Sequence, residues 1–152
     1  VLLGSDCTLN GKTLTALPTR DSLLPILAVL ASMASTKKKL SQLRELWSLP
    51  VCASDRLQDF STESSSRLMD RLANFDVLQQ FLAPFGTVAE VDETDGLRAR
   101  MRTDEIIHLR PSGNAPELRC YSEASTESRA TAIVASVLNS AQAFASNTVE
   151  GI

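Results

Sequence analysis

Apolar positions change their period along the chain, and each change marks an element. Leu23, Leu24, Ile26, Leu27, Val29 and Leu30 fall on most sides of a helix predicted over about 20–35. A helix this apolar wants burial on more than one face. Pro18-Thr19-Arg20-Asp21 opens it, with Thr19 as N-cap and Asp21 complementing the dipole in the first turn. Lys37, Lys38 and Lys39 read as a solvated cap at its C-terminal end, and a short helix over about 41–47 ends near Pro50. Upstream, Val1-Leu2-Leu3-Gly4 is strand-like, and the Asn10-Gly11 turn signal follows a short strand.

From about residue 51 the order predicted is β-α-β-β-β-β-α. A strand starts at Val51-Cys52-Ala53. Thr62-Glu63-Ser64-Ser65-Ser66 then opens a helix whose Leu68, Met69, Leu72, Phe75 and Leu78 keep helical spacing until Pro84-Phe85-Gly86 breaks it. Short strands follow at about 87–92, 97–102, 105–110 and 117–124, with turns at Thr94-Asp95-Gly96 and Thr103-Asp104. A last helix, about 126–145, carries Ile133, Val134, Val137, Leu138 and Phe144 on one side. A small antiparallel sheet covered on one face by helices buries such a pattern.

Composition narrows the functional classes. The 152 residues are 43% hydrophobic and 22% charged, enough to bury a core. The formal net charge of −3 argues against nucleic acid or an anionic membrane as a partner recruited by bulk charge, so an anion site has to be local. Cys7, Cys52 and Cys120 form no C-x-x-C pair and read as reduced, mostly buried thiols of a cytosolic protein. His108 is the only histidine and has no cluster of metal ligands around it. The most apolar segment, Leu23 to Met33, is about half the roughly 20 residues that a bilayer span needs.

Candidate chemistry concentrates in one hairpin. A strand-like run ends in Arg110, the loop Pro111-Ser112-Gly113-Asn114-Ala115-Pro116 follows, and the next run carries Arg119. Guanidinium forks match phosphate oxygens bidentately, and a Gly-containing turn aims successive N–H groups at an anion. The hairpin therefore reads as a phosphate-binding loop: Arg110 and Arg119 supply charge, Ser112 its hydroxyl, and Gly113 and Asn114 their backbone N–H groups. Arg119 has a second reading, as a surface salt-bridge partner of Glu117 or Glu123. Arg98, Arg100 and Arg102 alternate along one strand and read as a solvated face. Trp47 and Tyr121 read as packing residues, and Asp92-Glu93-Thr94-Asp95-Gly96 as a hairpin turn rather than a metal site.

Arg110-Pro111-Ser112-Gly113-Asn114-Ala115-Pro116-Glu117-Leu118-Arg119 resembles the C-terminal phosphate-binding loop of the α-D-phosphohexomutases, the phosphomannomutase and phosphoglucomutase family. That loop usually reads Arg-Pro-Ser-Gly-Thr-Glu-Pro, two further residues, then Arg. Asn114 and Ala115 depart from the usual Thr-Glu pair, and Ala115 removes a carboxylate. Asp95-Gly96-Leu97-Arg98 before the loop and Ser122-Glu123-Ala124 after it resemble the same domain.

The resemblance implies an α+β fold. Residues 51–152 would form the C-terminal TBP-like domain, a four-stranded antiparallel sheet on two helices. Residues 1–50 would be the truncated end of the preceding α/β domain, so the strand-like start at Val1 is expected to continue from a longer polypeptide. In the family a phosphoserine passes its phosphoryl group to a hexose phosphate, Mg²⁺ on an Asp-x-Asp-x-Asp loop neutralises charge, and a separate loop reads the sugar hydroxyls. None of those three motifs occurs here. The resemblance thus implies a chain that grips the phosphate of a hexose phosphate but is inactive alone. It would carry no cofactor of its own, work in the cytoplasm, and need the N-terminal mutase domains in cis or in trans. A stand-alone phosphosugar-binding or regulatory module, or one chain of a split mutase, is the competing reading. No nucleic-acid or membrane partner is expected, while self-association through an exposed 23–30 helix is.

Overall fold

The computed structural model describes residues 5–9, 11–17 and 22–147. The chain divides into two units, one reaching Leu49 and one starting at Pro50.

In the first unit, β1 (Cys7–Leu9) and β2 (Lys12–Leu14) pair as an antiparallel hairpin, with Thr8 opposite Thr13 and Gly11 in its turn at φ +73°. Helix α1 (Leu23–Thr36) follows Ser22 and stops where Lys37 turns left-handed at φ 55°. The Val1–Gly4 run and the expected cap Thr19 with Asp21 lie outside the described residues. Helix α2 (Leu40–Trp47) starts with the Lys39 N–H donating to Gln42 Oε1 at 2.9 Å. Leu43 is the one buried side chain among this unit's described residues. The apolar stripe of α1 is exposed instead, Leu23, Ile26, Leu27 and Leu30 each by more than half, and Trp47 is exposed rather than packed.

The second unit is α+β. Its five-stranded antiparallel sheet runs in the order β3 (Val51–Leu57), β7 (Leu118–Ala124), β6 (Ile106–Pro111), β5 (Leu97–Met101), β4 (Val88–Asp92). One strand more than the four expected from the resemblance is present, because β3 pairs with β7 along its whole length, from Val51 opposite Ala124 to Leu57 opposite Leu118. Alternation in β5 and β7 sends Leu97, Ala99, Met101, Leu118 and Cys120 into the core and leaves the other face open. Helices α3 (Thr62–Leu72) and α5 (Glu127–Asn147) contact the sheet, and Leu68, Leu72, Ile133 and Val137 join its core. Ser122, buried on β7, donates its hydroxyl to the Ala130 carbonyl of α5 at 2.8 Å.

The helix predicted to run unbroken from Thr62 to Pro84 is two. Ser61 caps α3 by accepting from the Ser64 N–H at 3.0 Å. Asn74 then caps α4 (Phe75–Phe81), its Oδ1 accepting from the Asp76 and Val77 N–H groups at 3.0 and 3.2 Å. An asparagine offers the orphan N–H groups of a new helix a better partner than a continued helix would. A 3₁₀ turn, Ala83–Phe85, ends at Gly86 with φ 114° and leads into β4. Among the described residues no helix is long and apolar enough to cross a membrane.

Candidate functional site

The hairpin singled out in the sequence connects β6 to β7. Arg110 and Arg119 are direct cross-strand partners at its base, on the face turned away from the core. The Ser112 N–H donates to the Glu117 carbonyl at 2.9 Å, which continues the ladder by one step. The Glu117 N–H donates to the Ala115 carbonyl at 2.7 Å and tightens the tip. The Phe60 N–H donates to the Pro116 carbonyl at 2.9 Å, tying the loop to the segment after β3. The Asn114 N–H lies 3.5 Å from Ser112 Oγ, while the Gly113 N–H makes no hydrogen bond within the described residues. A Cβ added to Gly113 would meet nothing within 4 Å, so neither packing nor backbone demands glycine there.

Charged neighbours hold the arginines. Asp95 Oδ1 lies 3.0 Å from Arg110 Nε. The Asp95 carbonyl lies 2.6 Å from His108 Nε2, and since a carbonyl only accepts, that ring nitrogen carries the proton. Glu117, whose side chain is 14% exposed, sends Oε2 to Arg119 Nη2 at 3.4 Å and Oε1 to Arg56 Nη1 at 3.2 Å. Arg119 therefore sits beside the loop and in a salt bridge together, and its partner is Glu117; Glu123 faces Arg98 at 3.9 Å. With Ala115 in the position where the usual loop has a carboxylate, Glu117 is the acid beside Arg56 and Arg119, as Asp95 is beside Arg110.

Arg56 is the residue that sequence reading missed. Register places it on β3 opposite Arg119, more than fifty positions upstream in the chain. No local motif marks it, and only the β3–β7 pairing brings it to the loop.

The other candidates take the plainer roles. Arg100 pairs with Glu90 at 2.9 Å and Asp104 at 3.4 Å on the solvated face, while Arg102, just past β5, is exposed. Tyr121 lies half-buried on the open face with its ring centroid 5.5 Å from that of His108. Asp92 closes the β4–β5 turn by accepting from the Thr94 N–H at 2.9 Å, and hydrogen bonds from Thr94 hold its carboxyl below the usual range. Among the described residues no three His, Cys, Asp or Glu side chains come together as a metal site. Only one of the thiols is buried, Cys120; Cys7 and Cys52 are exposed, against the expectation of mostly buried cysteines.

A helix-backed antiparallel sheet with an arginine-flanked Ser-Gly hairpin on its open side fits the C-terminal domain that the loop's resemblance to the phosphohexomutases implies. Comparison with known proteins agrees. Residues 62–140 match the family model for the phosphoglucomutase/phosphomannomutase C-terminal domain. A phosphomannomutase of Sinorhizobium fredii is 41% identical over 144 residues, covering 92% of this chain and 30% of that protein. A phosphomannomutase of Salmonella muenchen is 42% identical over 142 residues, covering 91% of this chain and 29% of that protein. The chain belongs to the phosphoglucomutase/phosphomannomutase family. It spans just under a third of the length of these relatives.

Proposed function

We propose that this chain is the phosphate-gripping part of a cytoplasmic mutase that interconverts hexose 6-phosphate and hexose 1-phosphate. The observation that carries the reading is the pairing of Arg110 with Arg119 directly across β6 and β7, beneath a loop whose Gly113 N–H is open. Like charges facing each other across two strands are unfavourable. A phosphate at the loop relieves that repulsion and gains charge-assisted hydrogen bonds.

In this reading Arg110 and Arg119 hold the phosphate that is not reacting, Ser112 donates its hydroxyl, and the Gly113 and Asn114 N–H groups close the cradle. Fixing one end of the sugar phosphate orients the other end toward the phosphoryl donor, so the grip contributes through positioning. The serine, sugar-reading and metal motifs of the family are not in this sequence. Mg²⁺ belongs to the family's chemistry, but the described residues do not fit it: no three acidic, His or Cys side chains come together among them, and Asp92 is engaged in a turn and Asp95 with Arg110. Alone, the chain binds and does not turn over; turnover needs the N-terminal mutase domains in cis or in trans.

Titrating the ¹⁵N-labelled chain with inorganic phosphate, glucose 6-phosphate and mannose 1-phosphate tests this. Saturable shifts confined to 110–119 and their neighbours are expected, with none in Arg110→Ala. A wild-type chain whose loop resonances do not move with any of the three ligands would end the proposal.

A further inference from the structure

The arginines at the loop continue onto the edge strand. Arg56 stands opposite Arg119, and Arg119 opposite Arg110, so three guanidinium groups form one row across β3, β7 and β6 on the open face. Adjacent strands lie about 4.7–4.9 Å apart, close enough for one anion to engage neighbouring side chains in such a row. Two carboxylates offset the row: Glu117, shared between Arg56 and Arg119, and Asp95, against Arg110. Asp55, the acid next along β3, occupies a position paired with Cys120 on the core side, and its Oδ1 accepts from the Arg56 N–H at 2.8 Å. Within the row itself three guanidinium groups meet two carboxylates, and Asp55 borders the adjoining depression without pairing to any of the three, so the surplus positive charge is confined to the row.

The space fits an incoming group as well. A depression of about 310 Å³ opens beside the row, lined by Ser54, Asp55, Arg56, Arg119 and Tyr121. Arg56 is half exposed and so reaches solvent there, while Glu117 is mostly buried and fixes its direction. The Phe60–Pro116 hydrogen bond joins the loop to the end of β3, so Arg56 and the loop keep one geometry.

We propose that Arg56 is a third phosphate-binding residue, and that the Arg56–Arg119–Arg110 row selects a phosphomonoester dianion over a singly charged phosphodiester. This rests on the reading that the β6–β7 loop holds a phosphate. A monoester carries a charge of about −1.5 to −2 at neutral pH, which the uncompensated cation of the row can match. A diester, with one charge and a blocked oxygen, leaves one guanidinium fork unfilled.

The test compares the wild-type chain with Arg56→Gln and Arg56→Lys, titrated at pH 8 with inorganic phosphate and with dimethyl phosphate, each folded state checked by thermal melting. Arg56→Gln should bind phosphate about ten-fold more weakly, the size of one lost charge-assisted hydrogen bond. Its preference for phosphate over dimethyl phosphate should shrink in step. Arg56→Lys keeps the charge but not the fork and should fall between, which a merely structural salt bridge would not produce. If wild type binds phosphate and either folded variant matches it in affinity and preference, the third-residue assignment is wrong while the loop reading stands. If wild type itself fails to bind, the loop reading falls first and this inference with it.

Discussion

The Asp95 carboxylate stands 3.0 Å from Nε of Arg110, which joins the β4–β5 turn to the base of the β6–β7 loop. Gly96 makes that approach possible. It sits at φ +85°, and a Cβ there would collide with the Leu109 carbonyl and stand 3.1 Å from Arg110 Cα. Both objections are backbone ones, so no side-chain rotation relieves them. Gly96→Ala should lose about 1–3 kcal/mol of stability and weaken phosphate binding by displacing Arg110. Denaturant melts and the phosphate titration measure the two effects, and a variant as stable as wild type would show that the turn can relax.

Gly113 is the opposite case. Open space surrounds its missing Cβ and its φ is an ordinary one. Gly113→Ala should melt like wild type yet bind phosphate several-fold more weakly, because the added methyl group would stand beside the N–H proposed to meet the anion. Unchanged binding in this variant would move the anion away from the loop tip.

Arg129 and Glu105 form a bidentate pair, at 2.7 and 2.9 Å, with the guanidinium carbon also 5.9 Å from the centre of the Phe85 ring. The Arg129 hydrogen bonds hold the Glu105 carboxyl below its usual range. A carboxyl whose folded pKa is depressed adds stability above its unfolded pKa, and that contribution is lost as pH falls through the folded pKa. Arg129→Met should therefore cost about 1–3 kcal/mol near pH 7 by leaving a mostly buried carboxylate without its partner. The gap between variant and wild type should narrow as pH drops below about 4.3. Urea titrations at pH 7 and pH 3 read this directly, and a gap of constant size would assign the loss to packing instead.

Cys120 is buried, and burial, with the Asp55 charge adding to it, pushes its thiol up to about 12. Cys7 and Cys52 are exposed. Reaction with an aromatic disulfide at pH 8 should modify two thiols quickly and the third only in denaturant. Three fast thiols would mean that β7 opens readily.

The α1 stripe of Leu23, Ile26, Leu27 and Leu30 is apolar surface in contact with water. Such patches associate. Sedimentation at rising concentration should show self-association of the chain, relieved by Leu27→Lys; a monomer at all concentrations would leave the stripe without that role.

Much of the second unit was legible because its signals are local. Turn residues at Asp95-Gly96 and Thr103-Asp104 and the alternation of Leu97, Ala99 and Met101 place β4 to β7 within a residue or two. Two features escaped for physical reasons. Phe75 and Leu78 keep the spacing of the helix before them, so periodicity hides the break that Asn74 makes by capping. Strand β3, Val-Cys-Ala-Ser-Asp-Arg-Leu, is a polar edge strand whose length shows only once β7 is beside it. The site divides the same way: Arg110 to Arg119 lie in one stretch of sequence, whereas Arg56 arrives through long-range pairing.

Strand β7 has a further consequence. It comes late in the chain but lies between β3 and β6, so the sheet closes only when it inserts. Arg119 rides on that strand, and until it inserts Arg110 has no cross-strand partner and Arg56 no neighbour. The proposed anion site is then complete only in the fully paired sheet. A ligand held there would stabilise the fully paired sheet against the unfolded chain in proportion to its binding, so thermal melting of the chain would rise with phosphate concentration.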